Sequence, residues 1–282
     1  MNIGIVLSGG MAKGAYQIGA LKALNEILPV EKIKYMSCSS IGVLNGYAYA
    51  TNQLNKAQTM WKSICCENSR LFVTKILRST TLQKNINDLF LCDSNFPPYF
   101  YCSLLDISHR NIAYKNISAI PDLSVLSYLK ASVAMPIYNR AVYIDNTPYF
   151  DGAMVDNIPV YPLLKHKLDY IVCIYFDDVY YKFENTYFDN KIIKITFPAE
   201  NRLKQSVMFT SEGIENMINL GYTKTREILN ITFKNGIEDT EYIYDIIENQ
   251  NKKKCDMLRI TGDVLVTGLN KFAQKFSKKT IF

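Results

Sequence analysis

The chain has 282 residues, 48% of them apolar, and a net charge of +6 from 32 Lys and Arg against 26 Asp and Glu. That length suits one large core without requiring two domains, and the apolar share excludes a disordered or collagen-like chain. No run approaches the roughly 18 apolar residues of a membrane span, and no basic segment precedes an apolar one at the start. The expected place is the cytoplasm, and both peripheral contact with a membrane and export by a specialised route fit the same reading.

Residues 4–7 are a short apolar run ending at Ser8-Gly9-Gly10. From Ala15 the pattern changes to Ile18, Leu21, Leu24 and Leu28, the period of a helix with one buried face. A buried parallel strand with its crossover helix explains this better than a hairpin. Residues 33–38 predict a second strand, and the apolar run from Gly42 a second helix, with Ser40 at the junction. Further helices are predicted over 53–66 and 81–91, and the stretch 93–98, DSNFPP, is a breaker. A strand over 101–107 leads into the polar DISHRN, and a helix runs from Pro121 towards Pro136. Residues 141–150 predict a hairpin turning at Asp145-Asn146 and ending at Asp151-Gly152. The run 169–176, DYIVCIYF, is nearly all apolar and predicts a central strand. An aromatic and polar connection over 180–190 follows, then a strand over 192–197. Helices are predicted over 211–230, 241–247 and 265–276.

Seven cysteines, at 38, 65, 66, 92, 102, 173 and 255, form no CxxC pair, which suits a reducing compartment and packing roles. The basic surplus belongs to the end of the chain: eight Lys and Arg lie in 251–282 against Asp256 and Asp263. A solvated surface is the plain reading of that tail, and an anionic membrane is the partner its charge would suit. Residues 1–250 are expected to form one domain, with 251–282 a basic extension packed on it or continuous with it.

Three motifs carry chemistry. Ser40 sits in CSSIG, close to the G-x-S-x-G turn that exposes a serine between strand and helix, with Cys38 and Gly42 in the two glycine positions. A serine before a helix is also an ordinary N-cap. Gly9, Gly10 and Gly14, around Met11, Ala12 and Lys13, lie between strand and helix, where backbone N–H groups converge on negative charge. The loop matches neither G-x-G-x-x-G nor G-x-x-x-x-G-K-[ST], and Ser39-Ser40 stand where a dinucleotide site would want an acid, so an oxyanion hole at Gly9, Gly10 and Met11 suits it better than a phosphate cradle. Lys13 reads as a surface residue of the helix start or as an aid to binding an anionic head group. Asp151, directly after an apolar strand and before Gly152, is either a turn former or a proton acceptor for the serine. Asp156 carries the same turn-former reading and ranks lower, because no strand leads into it.

Together LSGGMAKGAYQIGALKAL, CSSIGVLNGYAYA and DGAMVDNIPV resemble the patatin-like phospholipase family in order and spacing, and KASVAMPIY and GYTKTREIL resemble two further family segments. The resemblance covers about residues 2–230. It implies an α/β fold of three layers with a mostly parallel sheet and a nucleophile elbow, a Ser40–Asp151 dyad, an oxyanion hole at residues 9–11, and hydrolysis of lipid acyl esters without metal or cofactor. Cys38 and Met11 depart from the family's glycines. Neither is proline, so the backbone donors remain. A Ser-Asp-His triad would place its histidine beyond the acid; His109 precedes Asp151, and His166 lies between basic residues before a strand. Two other classes are weighed: a lipid- or membrane-surface-binding protein without turnover on the same fold, and a nucleic-acid binder, which lacks any helix-turn-helix, finger or aromatic-basic sheet pattern.

Overall fold

The structure is a computed structural model and describes residues 1–64, 80–92, 97–136, 138–198, 210–254 and 257–277. Cys65, Cys66, Cys255, the first four residues of the DSNFPP breaker, and the tail from Lys278 to Phe282 lie outside the described residues.

Strand β1 (Ile3–Leu7) is buried along its whole length and therefore takes the middle of the sheet. It pairs in parallel with β2 (Ile33–Ser39) on one side and with β7 (Tyr170–Phe176) on the other. Beyond these, β3 (Tyr99–Asp106) joins β2 and β9 (Ile192–Phe197) joins β7, giving the parallel order β3-β2-β1-β7-β9. The chain order reverses direction at β1, so the crevice beyond its C-terminal end is where such sheets hold ligands.

The remaining strands are antiparallel and gather on β3. Strand β4 (Asn111–Asn116) pairs with Tyr101 to Asp106, occupying one edge of β3. The other edge is shared: β2 runs up to Ser39 opposite Ser103, and β6 (Thr147–Asp151) runs the other way to Asp151 opposite Leu104. Strand β5 (Val142–Ile144) completes a hairpin with β6. Its turn residues Asp145 and Asn146 have φ of 48° and 63°, the twist that suits a two-residue hairpin loop.

Residues alternate between the two faces of the sheet. Ile5 and Leu7 join the larger core with helices α1 (Gly14–Ile27), α2 (Ile41–Ala50) and α3 (Leu54–Ser63). Helices α4 (Thr80–Leu89) and α5 (Asp122–Ser132) extend that layer. Val6, Ile171, Cys173 and Tyr175 face a second, smaller cluster with Leu163 of the short helix α6 (Tyr161–Leu164). A mostly parallel sheet between two covering layers is the three-layer α/β arrangement the sequence implies.

Two stretches differ from the sequence reading. The polar DISHRN is the turn into β4, whose half-exposed edge position leaves it without an apolar alternation. The connection over 180–190 holds β8 (Lys182–Phe183) and helix α7 (Thr186–Asp189), and β8 pairs in parallel with β10 (Leu258–Arg259). Helix α8 (Ser211–Thr232) lies along α1, and α9 (Thr240–Lys253) and α10 (Thr261–Ser277) are both longer than predicted. Among the described residues no helix is long and apolar enough to cross a membrane.

A buried polar chain ties three helices to the end of β1. Trp61 Nε1 donates to Asn45 Oδ1 at 3.0 Å, Asn45 Nδ2 donates to Gly14 O and Gln17 Oε1 at 2.9 Å, and Gln17 Nε2 donates to Ser8 O at 2.8 Å. Removing the middle member takes that donor from Gly14 O and Gln17 Oε1 in a dry interior. Asn45→Leu is expected to lower stability by about 3 kcal/mol, read as a lower urea midpoint with an unchanged slope.

Candidate active site

Strand β2 ends at Ser39 and helix α2 begins at Ile41, so Ser40 is the whole turn. Its φ of 53° and ψ of −130° lie outside the regions a side chain favours. The turn is this tight because α2 is pressed against β1: a Cβ on Gly42 would lie 2.7 Å from the carbonyl oxygens of Leu7 and Ser8. Cys38, in the other glycine position, is accommodated differently. Its Sγ sits where a Cβ on Gly46 would come within 2.9 Å, so a glycine one turn into α2 provides the room.

Ser40 does not cap α2; its hydroxyl makes no bond to the helix. Instead Ser40 Oγ donates to Asp151 Oδ2 at 2.6 Å. The head-on meeting of β2 and β6 along β3 brings the two together, since their last residues oppose Ser103 and Leu104. Gly152 permits the chain to turn there, because a Cβ would lie 2.5 Å from the Ser103 carbonyl carbon. The other carboxylate oxygen, Asp151 Oδ1, accepts from Ala153 N at 2.9 Å, and Asp151 N donates to Ala134 O at 2.9 Å in the ASVAMP segment. One oxygen thus holds the turn while the other meets the serine.

The glycine loop closes the site from the β1 side. A Cβ on Gly9 would stand 2.8 Å from the Ser40 Cβ, so the backbone passes directly over the serine. Gly9 N is committed to Asn157 O at 3.1 Å. The N–H groups of Gly10 and Met11 make no hydrogen bond among the described residues. Met11 holds φ at 51° and is exposed at the mouth, and Gly10 lies against the Phe176 ring, where a Cβ would come within 2.2 Å. Lys13 ends the single turn Met11–Lys13, with its N–H on Gly10 O, and Gly14 packs on Trp61 and Ile41. Of the aromatic stretch beginning at residue 176, Phe176 touches this loop, whereas Tyr181 and Phe183 belong to the opposite face of the sheet.

Neither histidine bonds to Ser40 or Asp151. His109 Nδ1 pairs with Asp106 Oδ2 at 2.9 Å on the surface, and His166 Nε2 meets Tyr101 OH at 2.9 Å beside Tyr35 and Tyr99. The sequence ranks Asp156 as a turn former. Its Oδ1 does accept from Ile158 N two residues on, at 3.3 Å, and it is also 1% exposed and paired with Arg259, whose Nη2 donates to the same oxygen at 2.8 Å. The one sequence hint of that pair is a lone arginine between apolar residues in MLRI.

A strained serine at the C-terminal end of a parallel strand, bonded to a buried carboxylate and overhung by a glycine loop, defines a nucleophile-elbow protein of α/β type. The family model described as patatin-like phospholipase matches residues 5–73 and 68–164, more than half of the chain, and the chain belongs to that family. A curated relative, lysophospholipase nte1 of Aspergillus terreus, is 25% identical over 180 residues, which cover 56% of this chain and 11% of that protein. The chain thus spans about a ninth of that relative's length. Among solved structures, VipD from Legionella pneumophila has 11% identity and a TM-score of 0.48, covering 97% of this chain and 74% of that one. The type III effector ExoU has 12% identity and a TM-score of 0.42, covering 97% and 62%.

Burial, with no cation beside it among the described residues, pushes the Asp151 carboxyl up to about 7 from 3.8, against the opposing pull of its bonds from Ser40 and Ala153. Between those pH values the folded chain holds a proton that the unfolded chain has released, so stability falls as pH rises across the window. An ionised Asp151 therefore costs the fold on the order of 4 kcal/mol above pH 7. Asp151→Asn is expected to raise the melting temperature above about pH 7 and to lose that advantage below about pH 4, checked by thermal unfolding across pH.

Proposed function

We propose that the protein is a serine acyl hydrolase of lipid esters, of the phospholipase A or lysophospholipase kind, working through Ser40 and Asp151. The observation that carries this reading is the 2.6 Å bond from Ser40 Oγ to Asp151 Oδ2, made by a serine in a strained turn whose hydroxyl makes no other hydrogen bond among the described residues. Family membership supports the class of substrate.

In this mechanism Asp151 Oδ2 takes the proton as Ser40 Oγ attacks the ester carbonyl carbon. The carbonyl oxygen becomes an oxyanion, met by the N–H groups of Gly10 and Met11, while Gly9, tied to Asn157, holds the loop over the serine. The alcohol or lysolipid leaves with the proton returned from Asp151. Water, deprotonated by the same carboxylate, then hydrolyses the acyl-enzyme, and Ser40 is restored. The chemistry requires no metal or cofactor. A carboxylate with its pKa near 7 is a far better base than an exposed aspartate, and burial supplies that difference.

The space beside the elbow is apolar but too small, as it stands, for a whole acyl chain. Ile41, the residue after Ser40, lines a small cavity of about 40 Å³ with Leu44, Trp61, Leu82 and Ile86. Towards the other end of the sequence, exposed Met257, Leu258, Ile260 and Val266 follow Lys252, Lys253 and Lys254 in the chain, a composition suited to peripheral contact with an anionic membrane. That contact would treat residues 251–277 as part of one working unit with the domain. Binding to anionic phospholipid vesicles should weaken as salt is raised, as sedimentation with vesicles would report.

Labelling with a fluorophosphonate, together with fatty-acid release from phosphatidylcholine and hydrolysis of a short p-nitrophenyl ester, tests the reading. Ser40→Ala should abolish labelling, and both Ser40→Ala and Asp151→Asn should lower turnover by at least about a thousandfold. In the wild type, kcat/KM should rise with pH through about 7 and level above it, because the base acts only when ionised. A folded wild type that neither labels nor turns over an ester, with vesicles present or absent, would favour the lipid-binding alternative.

A further inference from the structure

Residues 151–157 form a short loop that touches every part of the site. At its near end are Asp151 and the turn in which Val155 N and Asp156 N both donate to Gly152 O. At its far end Asp156 O accepts from Ser39 Oγ at 3.1 Å, and Asn157 O accepts from Gly9 N at 3.1 Å. The elbow and the glycine loop are thus both fastened to the far end.

What fastens the far end itself comes from elsewhere. Asp156 Oδ1 accepts from Arg259 Nη2 at 2.8 Å and from Ile158 N at 3.3 Å, and Oδ2 accepts from Tyr114 OH at 2.7 Å. The second arm of the guanidinium, Arg259 Nη1, donates to Ile158 O at 2.9 Å. Arg259 lies 103 residues beyond Asp156, is 8% exposed, and sits against the Tyr181 and Phe183 rings at 5.7 and 5.8 Å. Thr261 N, donating to Glu184 Oε1 at 2.9 Å, and the β8-β10 pair hold its strand in place. Helix α10 bears on the same loop, since a Cβ on Gly268 would lie 2.4 Å from Val155 O.

We propose that Arg259 is a positioning residue of the site: by holding both Asp156 and Ile158 it sets the loop that aims Asp151 at Ser40 and anchors the glycine loop at Gly9. The inference rests on the Ser40–Asp151 reading and adds a third, remote participant to it. A cation beside Asp156 offsets the cost of burying it, but stability alone does not require that one guanidinium arm hold Asp156 and the other the Ile158 carbonyl just past the loop, nor that the same loop carry the elbow and glycine-loop contacts. Small displacements of such a loop move the reacting groups together, and a shift of about 1 Å costs about a hundredfold in rate.

Arg259→Lys keeps the charge and loses the fork. In protein shown folded by circular dichroism and a cooperative melt, kcat for a short p-nitrophenyl ester should fall about tenfold or more with KM within about twofold, and the fluorophosphonate labelling rate should fall in parallel. An unchanged kcat and labelling rate in folded Arg259→Lys overturns the proposal. Should that variant not fold, Tyr114→Phe, which removes one hydroxyl from the other oxygen of Asp156, is judged by the same two readouts. Ser40→Ala runs alongside: if it still labels and turns over, the dyad reading falls and takes this inference with it. If it is dead while the Arg259 variant is fully active, this inference alone falls.

Discussion

Strand β3 has two edges and three neighbours, and the site follows from how they share it. Because β4 takes one edge along Tyr101 to Asp106, β2 and β6 must divide the other, one arriving parallel and the other antiparallel. They stop facing each other at Ser103 and Leu104. Neither can extend further, so each chain must leave the sheet there: β2 at Ser40, the first residue past its end, and β6 just beyond Asp151, its last paired residue. Ser103 Oγ, donating to Ser39 Oγ at 2.8 Å, pins the junction from beneath. Two side chains 111 residues apart in the chain are thereby held in hydrogen-bond contact by backbone pairing rather than by their own attraction.

The arrangement stores unfavourable energy at the place where the proposed chemistry happens. A non-glycine residue at positive φ costs about 1–3 kcal/mol, and both Ser40 and Met11 are such residues. Asp151, buried with no cation beside it among the described residues, costs more as pH rises, whereas Asp156, a few residues on, is given Arg259 and Tyr114. The two aspartates of one loop therefore have opposite environments. One is compensated and suited to holding structure, and the other is left to burial, which raises its affinity for a proton into the range a general base needs. The dense buried core around β1, β2 and β7 is what can absorb these costs.

Both departures from the family's glycines find a local physical answer. Cys38 keeps a side chain at the strand end because Gly46 offers none across from it, so the strand-helix approach is preserved by exchanging which partner is bare. Met11 adopts the left-handed backbone that a glycine would take freely, and its side chain turns outward to the mouth, leaving its N–H beside that of Gly10. The substitution leaves the backbone N–H of Met11 in place, which is what the proposed oxyanion hole would use.

Local pattern alone carried the α/β class, the parallel strands at the start of the chain, the hairpin over residues 141–150, and the order of the three motifs. Those features are written in neighbouring residues: apolar runs for buried strands, a period of 3.6 for α1 and α8, and Asp145-Asn146 for a two-residue turn. What only the tertiary structure decided is whatever depends on partners far along the chain. Strand β4 is polar because it is an edge, Asp156 is a buried anchor because Arg259 reaches it from β10, and Gly9 is a tether because Asn157 accepts its N–H. Ser40 could have been an ordinary helix cap on sequence grounds. It bonds to Asp151 instead because β2 and β6 end against each other on one edge of β3, and pairing between distant strands leaves no mark on either strand's own residues.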